Sequence, residues 1–329
     1  GTALVTQDEA LLWTDSRYFN EANLQLDARY WKLMKQGQPK VPTIPKFLGE
    51  LAAKHYKESS EPLQIGIDPF VHPAAFAKEV QDALGSAARK ELDDEDLTIG
   101  KLETSHPNLV DPLWESRPPI PTSPFRVHPL EYAGLSVADK VEKIRAQMTE
   151  QKATLAVFCT LDDVAYLLNM RSMGDVETCP VGIAYATISH DQVTLYCDAA
   201  KVQSPEVKEH LADVVVKPYD DIVGDIKGHC EAAPATNKVW MDKSRSNLAL
   251  VSSIPAPKQQ LVDSQNAVTP MKACKNEAEM EGMRKAHIVD GAAMAKFMAW
   301  LEHTIVVEGR SVSEVEVDEV LTGCRAEQP

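Results

Sequence analysis

The sequence predicts an α/β protein made of two successive units with a helical segment appended. Three observations carry this. β-prone runs alternate with amphipathic helices from Thr2 to beyond Leu84, prolines cluster between Pro118 and Pro129, and a second alternation runs from Ser136 to about Val262. The 329 residues leave room for about two domains and part of a third, and 44% apolar with 25% charged residues is a globular composition. The balance of 34 basic against 49 acidic residues gives −15, which repels phosphate backbones and argues against nucleic acid as a partner. No apolar run approaches the roughly 18 residues of a membrane span, so no membrane partner is expected.

Thr2–Thr6 and Ala10–Trp13 read as a hairpin about Gln7-Asp8-Glu9. Thr14, Asp15 and Ser16 can each cap a helix from about Arg17 to Leu26. Tyr30–Leu33 is a short strand, and Thr43 caps a helix with Phe47, Leu48, Leu51 and Ala52 on one face. Ile65-Gly66-Ile67 is a strand, and Pro73 suits the first turn of a helix carrying Phe76, Val80 and Leu84. Pro118, Pro119, Pro121, Pro124 and Pro129 then fix φ and remove backbone donors, which makes a stiff extended connector.

In the second unit Ser136 with Asp139 forms a variant capping box ahead of Val141, Ile144 and Met148. Leu155–Cys159 is a buried strand by its continuous apolar character, and Asp162–Leu168 is a helix. Ile183–Ile188 and Val193–Tyr196 form a hairpin about Ser189-His190-Asp191. Val214–Lys217, a helix near Ile222–His229, and Val239–Met241 continue the alternation. From about Thr269, Asn276 with Glu279 caps a helix whose apolar stripe includes Met280, Met283, His287, Met294, Met298 and Leu301. Ser311 with Glu314 suggests a second capping box, ahead of Val317, Val320 and Leu321. The expected organisation is 1–117, a Pro-rich linker at 118–135, a second unit at 136–268, and an appended segment at 269–329.

Strong catalytic signatures are missing. There is no G-x-G-x-x-G, no G-K-[ST] loop, no H-E-x-x-H and no G-x-S-x-G. His190, His210 and His229 read as solvated surface, and His287 as a satisfied core or interface histidine. Asp93, Asp94, Glu95 and Asp96 read as a solvated loop, and Asp162-Asp163 and Asp220-Asp221 as helix caps. The six cysteines are scattered with no C-x-x-C, which favours reduced thiols and a reducing, cytoplasmic compartment.

Four motifs in order carry a family resemblance. Gly1-Thr2-Ala3 through Trp13-Thr14-Asp15-Ser16-Arg17-Tyr18-Phe19 resembles the GTA…WTDGRYF segment of Xaa-Pro aminopeptidases (aminopeptidase P) in their long three-domain form. Asn108-Leu109-Val110-Asp111-Pro112-Leu113-Trp114 with Arg117-Pro118 is similar to the NLVD-x-x-W…RP linker. Leu161 through Arg171 resembles LDEIAWLFNLRG of the middle domain. Lys275-Asn276-Glu277, Glu281-Gly282-Met283-Arg284, Ala286-His287-Ile288 and Asp290-Gly291 look like the entry to the catalytic domain.

The resemblance implies two successive creatinase-N-terminal-like α/β domains, followed by the first helices of a pita-bread metallopeptidase domain. It implies hydrolysis of the bond between an N-terminal residue and a following proline, on peptide substrates, with two manganese ions held by two Asp, one His and two Glu. A homodimer is implied for the complete enzyme. The family places those ligands beyond the two helices at which this sequence stops, so no catalytic or metal residue is expected in this chain. The chain by itself is expected to be inactive, with the first strand of its first domain also missing. One substrate-contacting position carries over. Arg17 matches the Arg of WTDGRYF, which in the family reaches toward substrate; its alternative is a helix-start Arg bonded to Asp15 or to the linker. Two departures concern the middle domain: Arg171-Ser172-Met173-Gly174-Asp175 is one residue longer than RGSD, and Gly182-Ile183 replaces a usual pair of Phe. The competing function is a non-catalytic scaffold of histone-chaperone type, to which the charge of −15 would suit basic partners. The four motifs match the peptidase branch instead. A prolidase or creatinase lacks the long middle domain.

Overall fold

The structure, a computed structural model, describes residues 1–94, 96–105 and 108–328. Glu95 of the acidic run and Pro329 at the chain end lie outside the described residues. The chain folds as two compact units, Gly1–Pro119 with Asp242–Pro257, and Ile120–Met241 with Lys258–Pro329.

In the first unit, β1 (Thr2–Val5) and β2 (Ala10–Thr14) pair antiparallel about the expected turn, where Thr6 Oγ1 accepts from Glu9 N at 3.0 Å. The helix expected from Arg17 is shorter and splits into a 3-10 turn at Ser16–Tyr18 and α1 (Phe19–Gln25). Of the three candidate caps Asp15 is used, its carboxylate accepting from Arg17 N. β3 (Trp31–Lys35) lies parallel to β2. Thr43 caps α2 (Ile44–Ser59), and Pro45 sits in its first turn, where a missing N–H costs nothing. β4 (Leu63–Gly66) is followed by α3 (Ala74–Leu92), and then by β5 (Gly100–Glu103), parallel to β4. The sequence reading missed β5, because Gly-Lys-Leu-Glu has too few apolar residues to show a period. Leu48, Ala52, Ala53, Ile65, Val80, Leu84, Ala88 and Ile99 form the core here. α2 and α3 pack closely through small residues, since a Cβ on Gly49 would meet the Ala83 carbonyl oxygen at 2.8 Å. The stretch Asp242–Pro257 belongs to this unit through backbone hydrogen bonds: Ala74 N donates to Ser246 O and Leu248 N to His72 O, both at 2.9 Å.

The second unit opens with β6 (Phe125–Val127) inside the proline-rich connector, and α4 (Leu130–Ala133). The predicted box caps α5 (Val137–Gln151): Ser136 Oγ accepts from Asp139 N at 3.1 Å and Asp139 Oδ2 accepts from Ser136 N at 3.2 Å. β7 (Leu155–Phe158) is buried throughout, as its continuous apolar run requires. α6 (Leu161–Leu167), β8 (Met170–Ser172), β9 (Tyr185–Ser189), β10 (Val193–Tyr196), α7 (Pro205–His210), β11 (Val214–Lys217), α8 (Asp221–Ala232) and β12 (Val239–Met241) follow. α9 is the Leu248–Ser252 helix of the first unit, after which come α10 (Pro257–Gln260) and β13 (Leu261–Asp263). The main sheet has the order β11-β10-β9-β7-β12-β13, mixed in direction, with the β9–β10 hairpin in its middle. β6 and β8 form a separate antiparallel ribbon that the sequence reading did not contain. α5 packs Val141, Ile144 and Met148 into a core with Phe158, Leu167, Ile188 and Leu195.

After α11 (Val268–Ala273), the predicted box of Asn276 and Glu279 starts α12 (Glu277–Glu302). A π turn at His303–Val307 leads to α13 (Glu314–Ala326). The cap of α13 is Ser313, accepting from Glu316 N at 3.1 Å, in place of the expected Ser311. Ala293, Phe297 and Cys324 are the buried residues where α12 meets α13. Of the expected stripe, Met294 and Leu301 pack against this cluster, whereas Met283 and Met298 are 49% and 53% exposed. His287 corrects its sequence reading: it is exposed, with Nδ1 2.8 Å from Met283 O of its own helix.

Candidate functional site

Arg17 is the candidate substrate contact, and its geometry follows from three adjacent residues. β2 ends at Thr14, and Asp15 turns the chain into the 3-10 segment. The Asp15 carboxylate then takes Arg17 in a two-point fork: Nε donates to Oδ1 at 2.8 Å and Nη2 to Oδ2 at 3.0 Å. The guanidinium also lies 5.6 Å from the Tyr18 ring centroid. The hydrogen bonds from Arg17 hold the Asp15 carboxyl at about 2, so the pair stays ionised at any physiological pH. Arg17 remains 77% exposed, a positioned cation open to solvent on its other side. Asp15 also lines a cavity of about 400 Å³ with Thr14, Gln36, Thr43, Phe76 and Glu79. Of the two sequence readings of Arg17, the structure shows the helix-start one, the bond to Asp15. The bond to Asp15 is present, and it fixes the fork while leaving Nη1 to donate elsewhere.

In the second unit Asp175 and Asp163 are framework residues. Asp175, at the end of the lengthened Arg171–Asp175 run, has a fully buried side chain paired with Lys201, itself 1% exposed. Asp175 also accepts from Ser123 N at 3.0 Å and Ile183 N at 2.7 Å, and Lys201 Nζ donates to Pro121 O at 3.0 Å. One ion pair therefore ties the proline connector to the loop before β9. Asp163 corrects the helix-cap reading: it is buried, and accepts from Asn266 Nδ2 at 2.8 Å and Lys272 Nζ at 2.7 Å. This joins α6 to the segment that leads into α11. His210 and His229 are likewise more than solvated surface. His210 Nε2 lies 2.7 Å from Leu168 O and His229 Nε2 lies 2.8 Å from Thr154 Oγ1, both part-buried. Burial lowers the affinity of His229 for a proton.

Lys140, in α5, was not singled out by the sequence reading. Its side chain is buried and donates to Tyr166 O at 2.7 Å and Asn169 Oδ1 at 2.6 Å, with Nζ 3.8 Å from the Tyr166 ring centroid. Burial pushes its ammonium down to about 8, with Glu279 acting against the shift and Arg171 adding to it. The folded value lies below the unfolded one. The site's stability contribution is therefore lowest below about pH 8 and rises by about 3 kcal/mol as pH climbs to the unfolded lysine value. Carbon-detected NMR of lysine-labelled protein should show one lysine titrating near pH 8 and vanishing in Lys140→Met. A spectrum in which every lysine titrates near 10.5 would refute this.

Among the described residues no group of three or more His, Cys, Asp or Glu comes together that could hold a metal ion. None of the six cysteines forms a disulfide, and no described helix is long and apolar enough to cross a membrane.

Comparison with known proteins places these features. The Creatinase/Prolidase N-terminal domain family matches residues 116–279. "Probable Xaa-Pro aminopeptidase P" of Talaromyces stipitatus is 36% identical over 322 residues, covering 96% of this chain and 46% of that protein. "Aminopeptidase P2" of Arabidopsis thaliana is 34% identical over 358 residues, covering 100% of this chain and 47% of that protein. Among solved structures, the X-prolyl aminopeptidase of Caenorhabditis elegans, described as a cytosolic enzyme with a di-nuclear active site, superposes with a TM-score of 0.85 at 31% identity. That superposition covers 99% of this chain and 50% of the other. The chain thus spans about half the length of the curated relatives it matches.

Proposed function

Because this chain belongs to the Xaa-Pro aminopeptidase P family, we propose that it supplies the N-terminal and middle α/β portions of a metal-dependent aminopeptidase. The proposed enzyme hydrolyses the bond between an N-terminal residue and a following proline, in the cytoplasm, as a homodimer, with two manganese ions. The observation that carries the reading is a likeness along the whole chain, in sequence to named Xaa-Pro aminopeptidases and in fold to one solved enzyme. Two such ions would activate water and stabilise charge on the attacked carbonyl. The domains of the proposed enzyme are 1–117, a linker at 118–135, a middle domain at 136–268, and the entry to the catalytic domain at 269–329.

Arg17 has the proposed role of substrate contact. Asp15 occupies Nε and Nη2, which leaves Nη1 to donate to a carbonyl or carboxylate of the bound peptide. In the full-length protein that carries this chain, Arg17→Ala should lower kcat/KM for an Xaa-Pro peptide by about tenfold or more, as loss of one charged hydrogen bond does. Arg17→Lys should recover part of it. Unchanged kcat/KM in Arg17→Ala would remove Arg17 from the site. Failure of the full-length protein to release the N-terminal residue with manganese present would overturn the function itself. The 329-residue chain alone is expected to bind manganese weakly and to leave the peptide intact.

A further inference from the structure

The β6–β8 ribbon sets two arginines side by side. In this antiparallel pair Phe125 faces Ser172, Arg126 faces Arg171 and Val127 faces Met170. Alternation sends Phe125, Met170 and Ser172 inward, where all three are buried, and turns Arg126 and Arg171 together to the opposite face. Directly opposed residues have Cβ atoms about 5 Å apart, and like charges there are destabilising. His128 follows directly after β6, its ring tilted against Tyr132 with the centroids 6.0 Å apart. Buried Lys140 lies close enough that it, Arg126 and Arg171 all act on His128, whose affinity for a proton is lowered by burial first and then by these three cations.

Among the described residues neither Arg126 nor Arg171 forms an ion pair with a carboxylate. Arg17, Arg29, Arg117, Arg284, Arg310 and Arg325 each meet a carboxylate. Arg126 instead reaches Met173 Sδ at 3.4 Å, and Arg171 Nη1 donates to the backbone carbonyls of Ala165 and Met170 at 3.1 and 2.8 Å. The acidic groups that act on Arg171 through space are Glu279, whose carboxylate also accepts from Asn276 N at 2.9 Å, and the Cys179 thiol. In a chain of net charge −15, so much unpaired positive charge on one small ribbon is a preorganised receptor for an anion. We propose that Arg126, Arg171 and His128 form a binding site for an oxyanion, a phosphate or a peptide-type carboxylate held between the two guanidinium groups.

The test titrates the 329-residue chain with inorganic phosphate and, separately, with N-acetylglycine, at constant ionic strength. Binding is followed by calorimetry and by the His128 ring resonance. Saturable binding of either probe is expected, with the His128 titration midpoint moving upward on saturation because the bound charge offsets its cationic neighbours. The tighter probe names the source of the oxyanion. Arg126→Gln, at an exposed position that folding tolerates, should weaken binding about tenfold or more, and Arg171→Gln should do the same. Arg29→Gln, in the first unit, should leave it unchanged. Absence of saturable binding by both probes, or equal affinity in Arg126→Gln, would overturn the proposal.

Discussion

Asp175→Ala should destabilise the second unit by about 3–5 kcal/mol, the cost of leaving a buried charge without its partner. The stranded group is Lys201, whose side chain is 1% exposed and keeps one hydrogen bond, to Pro121 O. The substitution also removes the acceptor for Ser123 N and Ile183 N, so the connector and the loop before β9 both lose an anchor. Urea unfolding followed by circular dichroism measures it. The double variant Asp175→Ala/Lys201→Met should regain a large part of the loss, because a buried ion pair replaced by apolar groups is often nearly neutral. A single variant within 1 kcal/mol of wild type would show that the pair is hydrated and the burial argument mistaken.

The second large effect concerns an exchange of volume. Gly182 is the position at which the family resemblance leads one to expect Phe, and the structure shows what fills the space. A Cβ on Gly182 would run into Phe125 Cε1, so the ring of Phe125, delivered by the connector strand β6, occupies that position. Gly182→Phe should therefore cost about 3 kcal/mol by overpacking. Phe125→Ala should cost about 3–5 kcal/mol by leaving a cavity. The combination should lose less than the sum by 1 kcal/mol or more, since the new ring enters the vacated space. Additive losses in a denaturant double-mutant cycle would mean the two positions do not share one volume.

These residues mark the limit of sequence reading. The α/β class, the helices from α2 to α12 with strong apolar periods, and the boxes at Ser136 and Asn276 were legible because each signal lies within one turn or one element. Asp15 was one of three possible caps, and the fork with Arg17 needs only two residues' separation, so it too was within reach. The strands β5, β6, β8 and β13 were not legible. Each has three or four residues, too short for a period, and exists because a distant partner satisfies its backbone.

What the sequence by itself determined is the α/β class, the motifs that place the chain in its family, and the position of Arg17. Such features rest on local periodicity and on residue order. Tertiary structure alone decided that Asp175 holds Lys201, that Phe125 fills the space beside Gly182, that Asp242–Pro257 packs with the first unit, and that Arg126 and Arg171 face the same way. These partners lie 26, 57 and 45 positions apart for the three pairs named. Their energies arise from desolvation and volume exclusion, which act on proximity in space and leave no period in the chain.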